Sequence, residues 1–173
     1  MPSKRSESFV NYVITRIQAG DGKAFAAKLK KAESESTEFQ SWDILTNWID
    51  LTSEKERRAF GMVGASIARM GIVGDGTISV GTALRLSSKE ESNDKDKEGT
   101  QGMRLRRLFS CRRSTDLISS IRPIIHLLES KEIKICYSRL LDEIITFDFD
   151  NSRERTCISW AQDFYGKRGE EKK

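Results

Sequence analysis

A chain of 173 residues, 37% apolar and 32% charged, has the length to bury a real interior and the profile of a helical globular protein with a charged surface. Its net charge of +4 and pI near 9.0 lean towards a polyanionic partner, and no window is long or apolar enough to cross a bilayer. Three scattered cysteines, Cys111, Cys136 and Cys157, lack CxxC spacing and a neighbouring histidine, which argues against a disulfide framework and against a zinc site.

The chain opens on Met-Pro-Ser-Lys-Arg-Ser-Glu-Ser, without the apolar run of a signal peptide, so a cytoplasmic location is expected. Pro2 and Pro123 are the only prolines, which leaves nearly the whole sequence free to be helical. Phe9, Val10, Val13, Ile14 and Ile17 recur at helical spacing before Gly20, a plausible stop. Asp21 is placed to cap a second helix carrying Phe25 and Leu29 among Lys23, Lys28, Lys30 and Lys31. Residues 33–41 read as a polar connector, and Trp42, Leu45, Trp48 and Ile49 as a short apolar stripe. Ser53-x-x-Glu56 is a capping-box pattern opening a helix through Phe60, Val63 and Ile67. Gly61, Gly64, Ala65 and Ala68 on that helix are small enough to permit close helix contact, at some cost in propensity.

A glycine-rich break at 71–76 precedes "ISVGTALRL", a turn and short helix. Residues 87–101, "SSKEESNDKDKEGTQ", hold no apolar side chain; such a segment is expected to be a mobile loop. It divides the chain into an N-terminal helical lobe, 1–86, and a C-terminal one, 102–173. After it, Leu105, Leu108 and Phe109 define a helix face, with Arg104, Arg106 and Arg107 away from it. Ser114 or Thr115 is the expected cap of the next helix, and Asp116 suits its positive first turn. Leu117, Ile118, Ile121, Ile124, Ile125 and Leu128 form its stripe, with Pro123 as an expected kink. Tyr137, Leu140, Leu141, Ile144 and Ile145 repeat the pattern, as do Cys157, Trp160, Ala161 and Phe164. No strand pair stands out. The expected fold is all-α, an elongated helical bundle.

Catalysis has little to stand on, and no catalytic residue, metal ligand or cofactor is assigned. His126 projects opposite the apolar stripe of its helix and has no marked nucleophile beside it. Asp148, Asp150 and Glu154 resemble the start of a calcium loop. However, Arg153 stands where that loop needs glycine and the distal glutamate is missing, so a solvated turn is expected. Gly71, Gly74 and Gly76 lack both a preceding strand and a phosphate-loop lysine. Asp142 and Glu143 are adjacent on a helix and therefore point apart, which is no arrangement for two metals.

The arginines differ. Residues 102–123 carry six, Arg104, Arg106, Arg107, Arg112, Arg113 and Arg122, against one acid, Asp116. Solvated helix faces normally mix signs, because like charges three or four apart repel. Arginine also favours bidentate contact with phosphate. Lys30 and Lys31, and the group Lys55, Arg57 and Arg58 with its interleaved glutamates, extend the candidate surface. The reading from charge is nucleic-acid or other polyanion binding, directed at the backbone.

"SVGTALRL", "RLRRLFSCRRSTDLISSIRPIIHLL", "YSRLLDEIITFD" and "RERTCISWAQDFYG", in that order, resemble the small subunit of type I-E CRISPR Cascade complexes, the CasB family. The resemblance spans most of 9–166 and is distinctive from residue 79 onward. Here lysines occupy positions 30 and 31 where the family often has arginines, and Pro123 stands where a second arginine often follows Arg122. The resemblance implies an all-helical, non-enzymatic subunit of a guide-RNA surveillance complex. Its implied partners are guide RNA, target DNA and other Cascade subunits, with self-contact between copies, and neither a membrane nor a small-molecule substrate. Arg104, Arg106, Arg107, Arg112 and Arg113 would then face phosphates and stabilise the R-loop. The alternative is a free-standing basic helical protein that binds an acidic protein partner; a metal-dependent nuclease using Asp148 or Asp150 is the remote third.

Overall fold

A helix that is small or apolar on every side has to lie inside the molecule, and α4 (Glu54–Met70) does. Every residue from Ala59 to Ala68 on it is buried. The computed structural model describes residues 1–89 and 97–166. Around α4 stand α1 (Lys4–Gln18), α2 (Gly22–Lys30), α7 (Ser114–Ser130) and α8 (Tyr137–Ile145). Two 3₁₀ turns, Lys31–Glu33 and Glu38–Ser41, lead into the single turn α3 (Trp42–Leu45). The remaining helices are α5 (Val80–Lys89), α6 (Lys97–Ser110) and α9 (Asp150–Tyr165). α5 packs on α9 and α6, and α6 leans on α7. Among the described residues there is no strand; Ile78 and Ile135 form one isolated parallel bridge.

The small residues of α4 serve close approach. A Cβ on Gly61 would lie 2.8 Å from the carbonyl oxygen of Ala32. Gly81 does the same for the other layer: its Cβ would sit 2.2 Å from the Trp160 oxygen, so α5 and α9 touch backbone to backbone.

Several helices start where an aspartate from elsewhere accepts their free amides. Asp148 takes the Ser114 N–H at 2.7 Å and the Ser114 hydroxyl. Asp75 takes the N–H groups of Tyr137 at 2.7 Å and Ser138 at 3.1 Å. Asp142 accepts from Ser3 and Ser6 at the start of α1. The local expectations therefore need correction. Arg113 holds the cap position of α7, with Ser114 already inside the helix and bonded to Asp148. Asp21 does stand at the cap position of α2, but its side chain makes no cap bond and pairs with Arg16 at 2.7 Å. Ser53 does cap α4, accepting from the Glu56 amide, but Glu56 turns to Arg5 and the Asp50 N–H, so only half of the box forms. α7 runs on through Pro123 as one helix.

The polar segment 87–101 is shorter as a connector than its composition implies. α5 continues to Lys89, and α6 begins at Lys97. Ser87 and Ser88 return their hydroxyls to the Leu84 and Arg85 carbonyls, which lets serine sit in a helix. Ser87 and Gln101 are buried. Residues 90–96, on which the expectation of mobility also falls, lie outside the described residues. One hydrophobic cluster runs from Phe9 to Phe164. It crosses the expected division between 1–86 and 102–173, because α1 and α4 pack on α8, α4 on α7, and α5 on α9.

Candidate functional site

α6 is tethered by Leu105 and Leu108, both fully buried, with Phe109 packed at the edge of the core. Its helical period then turns Arg106 and Arg107 to solvent and leaves Arg104 half-buried. The chain turns sharply after Ser110, and the corner presents Arg112 and Arg113, both exposed. Arg104 donates to the Gln101 side chain at 2.9 Å, and Arg106 to the Gly102 carbonyl at 3.3 Å. Among the described residues none of these five arginines forms an ion pair with a carboxylate. Asp116, the only acid of the stretch, is exposed in the first turn of α7.

Two hollows belong to this surface. One of about 600 Å³ is walled by Lys55, Arg112, Arg113, Ser114, Thr115, Asp148, Asp150 and Arg153, which brings Lys55 to the arginine corner. A smaller cleft of about 130 Å³, between α6 and α7, is lined by Arg104, Arg107, Ser119, Ser120, Pro123 and Ile124. Arg153 escapes a reading by charge clusters because it lies forty residues from the corner, in mixed-sign sequence. Its guanidinium donates to the Arg112 carbonyl at 3.1 Å and pairs with Asp150. Such a surface can hold a polyanion through charge-assisted hydrogen bonds, while its floor stays anchored in the core.

The other candidate bases are partly spent inside the molecule. Lys55 bonds Asp148 at 3.1 Å and the Ile145 carbonyl at 3.2 Å. Arg57 meets Glu38 at 3.3 Å and the Leu51 carbonyl. Arg58 pairs with Glu35 and, at 2.8 Å, with Glu54. Arg122 leans towards Glu33 at 3.5 Å, and its Nε is buried without a hydrogen-bond partner. Lys31 donates to Gln40 at 2.7 Å; Lys30 is exposed and has no partner among the described residues. These two lysines belong to α2 and the turn after it, which pack on α1 and α4, whereas α6 packs on α5, α7 and α9. The sequence candidates thus fall on separate parts of the surface.

Asp148 lies in the exposed turn expected between α8 and α9, and it has a structural task there. It caps α7 and pairs with Lys55 at once. Burial pushes its carboxyl up, but the Ser114 amide, Lys55 and the Ser114 hydroxyl outweigh that and hold it below the ordinary aspartate value. Asp142 and Glu143 do point apart: Asp142 to the start of α1, Glu143 to Arg139 at 2.8 Å and the Trp160 indole N–H at 3.0 Å. His126 is exposed, yet its ring bridges Glu33 at 3.1 Å and Glu129 at 3.4 Å. Arg69 clasps the same two glutamates, through a 2.8 Å contact to Glu129 and a pair with Glu33. Ser66 links this network to the Tyr137 hydroxyl at 3.0 Å, whose pKa burial pushes up to about 12. Among the described residues no group of three or more His, Cys, Asp or Glu is placed to hold a metal ion, and no helix is long and apolar enough to cross a membrane.

Residues 26–165 match the family described as CRISPR-associated protein Cse2. The fold is similar to the crystal structure of CasB from Thermobifida fusca, with a TM-score of 0.64 at 15% identity, over 96% of this chain and 100% of that one. No curated protein sequence matches the chain.

Proposed function

The chain belongs to the CRISPR-associated Cse2 family, and from that premise we propose that it is the non-catalytic small subunit of a guide-RNA surveillance complex, Cascade, in antiviral defence. In this reading it holds the backbone of target DNA and of the displaced strand, and so stabilises the R-loop. One observation carries the proposal: five arginines from Arg104 to Arg113 stand on a core-anchored surface with no carboxylate partner among the described residues. Strand exchange against a guide is close to balance, so backbone contacts from a subunit are enough to tip it. Sequence reading is left to base pairing, and a subunit in that role needs positive charge rather than an active site.

Charge reversal tests it directly. Arg107→Glu with Arg112→Glu, in a fully assembled complex, is expected to weaken target binding by about tenfold or more while the helical signal and thermal midpoint stay in place. Unchanged affinity in a folded, incorporated variant overturns the assignment of these contacts. The salt dependence separates this reading from an acidic protein partner. Phosphate contacts give a slope of log K on log salt that loses about 0.7 for each single-strand contact removed.

A further inference from the structure

We infer that Phe39 and Trp42 form a stacking platform for unpaired bases of a DNA strand, separate from the arginine surface of α6. The inference rests on the reading above, in which the chain holds a displaced strand. Large aromatic side chains usually complete a core, and Trp160 does so at 0% exposure. Phe39 is instead 58% exposed and Trp42 37%. They stand three residues apart where the Glu38–Ser41 turn runs into α3, and in a 3₁₀ turn that spacing puts side chains on one side.

The platform is braced from behind. Arg57 approaches to 6.0 Å from the centre of the Trp42 ring, and also bonds Glu38 beside Phe39. Ser41 returns its hydroxyl to the Glu38 carbonyl at 2.7 Å. Lys31 donates to Gln40, which follows Phe39, at 2.7 Å, and Lys28 pairs with Asp43, which follows Trp42. A hollow of about 450 Å³ lined by Ala24, Ala27, Lys28, Lys31 and Gln40 reaches the same turn through Gln40.

Glu38 and Asp43 are matched by Arg57 and Lys28. Lys31 meets only the neutral Gln40, and Lys30 is exposed without a partner among the described residues, so two cations flank the aromatic pair. What this patch has beyond the α6 surface is exposed aromatic area. A duplex hides its base faces in its own stack, whereas a displaced single strand has them free. The geometry therefore divides the labour: phosphates to the arginines, bases to Phe39 and Trp42.

The test uses the full chain with three probes of equal length: an oligothymidylate, the same deoxyribose-phosphate strand without bases, and an oligouridylate. Phe39→Leu with Trp42→Leu keeps apolar bulk at two exposed positions and removes the rings. This variant is expected to lose about tenfold in affinity for the oligothymidylate and nothing for the baseless strand, at an unchanged thermal midpoint. An equal loss on both DNA probes sinks the platform, because the effect is then not on bases. No loss on either, while Arg107→Glu weakens both, sinks the platform and leaves the proposed function standing. A loss confined to the oligouridylate makes the occupant RNA and overturns the inference as drawn. If the wild-type chain binds none of the three, both the platform and a direct strand contact by this subunit fall.

Discussion

Two short stretches carry basic residues at similar density and end in opposite states. In 53–58, at the start of α4, Lys55, Arg57 and Arg58 each find a carboxylate: Asp148, Glu38, and Glu35 with Glu54. In 104–113, across α6 and the corner before α7, five arginines find none among the described residues. The interleaved Glu54 and Glu56 explain only part of this. Glu35, Glu38 and Asp148 come from turns that the fold brings to α4, so the fold itself neutralises the first stretch. Beside the second, Asp148 and Asp150 share a hollow with Arg112 and Arg113, but Asp148 is taken up by Ser114 and Lys55, and Asp150 by Arg153. The difference teaches that a basic run is a binding surface only when the elements around it withhold their acids.

The largest effect should come from breaking an internally paired arginine. Arg69→Leu takes the arginine from Glu129 and leaves Glu33 only the more distant Arg122, with both glutamates nearly buried, and should cost about 3 kcal/mol in denaturant unfolding. The arginine surface should behave in reverse. The Arg107→Glu, Arg112→Glu pair should change strand affinity by about tenfold or more and stability by less than about 0.5 kcal/mol. A stability loss comparable to that of Arg69→Leu would erase the contrast.

Asp148 sharpens the comparison, because it ties one basic stretch to the edge of the other. Asp148→Asn should cost about 1 kcal/mol at neutral pH through the α7 cap. Its folded pKa lies below the ordinary 3.8. A depressed value contributes stability above the ordinary pKa, and that stability is lost as the pH falls through the folded one. The variant should therefore show a flatter acid limb below about pH 4, read from unfolding midpoints across pH. The smallest effect belongs to Arg58→Ala. Its partners Glu35 and Glu54 are 76% and 57% exposed, so stability should move by about 0.5 kcal/mol or less, with strand affinity unchanged.

The helices were legible wherever an apolar stripe was. Leu105 and Leu108, the run from Leu117 to Leu128, and Tyr137 to Ile144 are buried as their spacing requires. The caps were not, since Asp75, Asp142 and Asp148 act on helices tens of residues away. A local pattern can offer Ser114 as a cap but cannot see a better acceptor, Asp148, arriving from another loop. The ends of the polar segment failed for a related reason. Serine hydroxyls satisfied within the helix made Ser87 and Ser88 helical despite their composition. For the site, exposure of Arg106 and Arg107 followed from periodicity, and that of Arg112 and Arg113 from their place at the corner between two helices. The pairing of Lys55, Arg57 and Arg58, and the presence of Arg153, depended on which elements pack together.

The contact between Gly81 and the Trp160 backbone also sets an order of events. Seventy-nine residues separate the two positions, so a chain growing from its N-terminus makes α5 long before the helix that covers it. Until α9 arrives, the α5 face around Gly81 stays open, a long-range closure that a ribosome cannot hasten. α9 acts as a latch, and a nascent chain cut short before Trp160 should present that uncovered face to chaperones and proteases while α1 to α8 are already made.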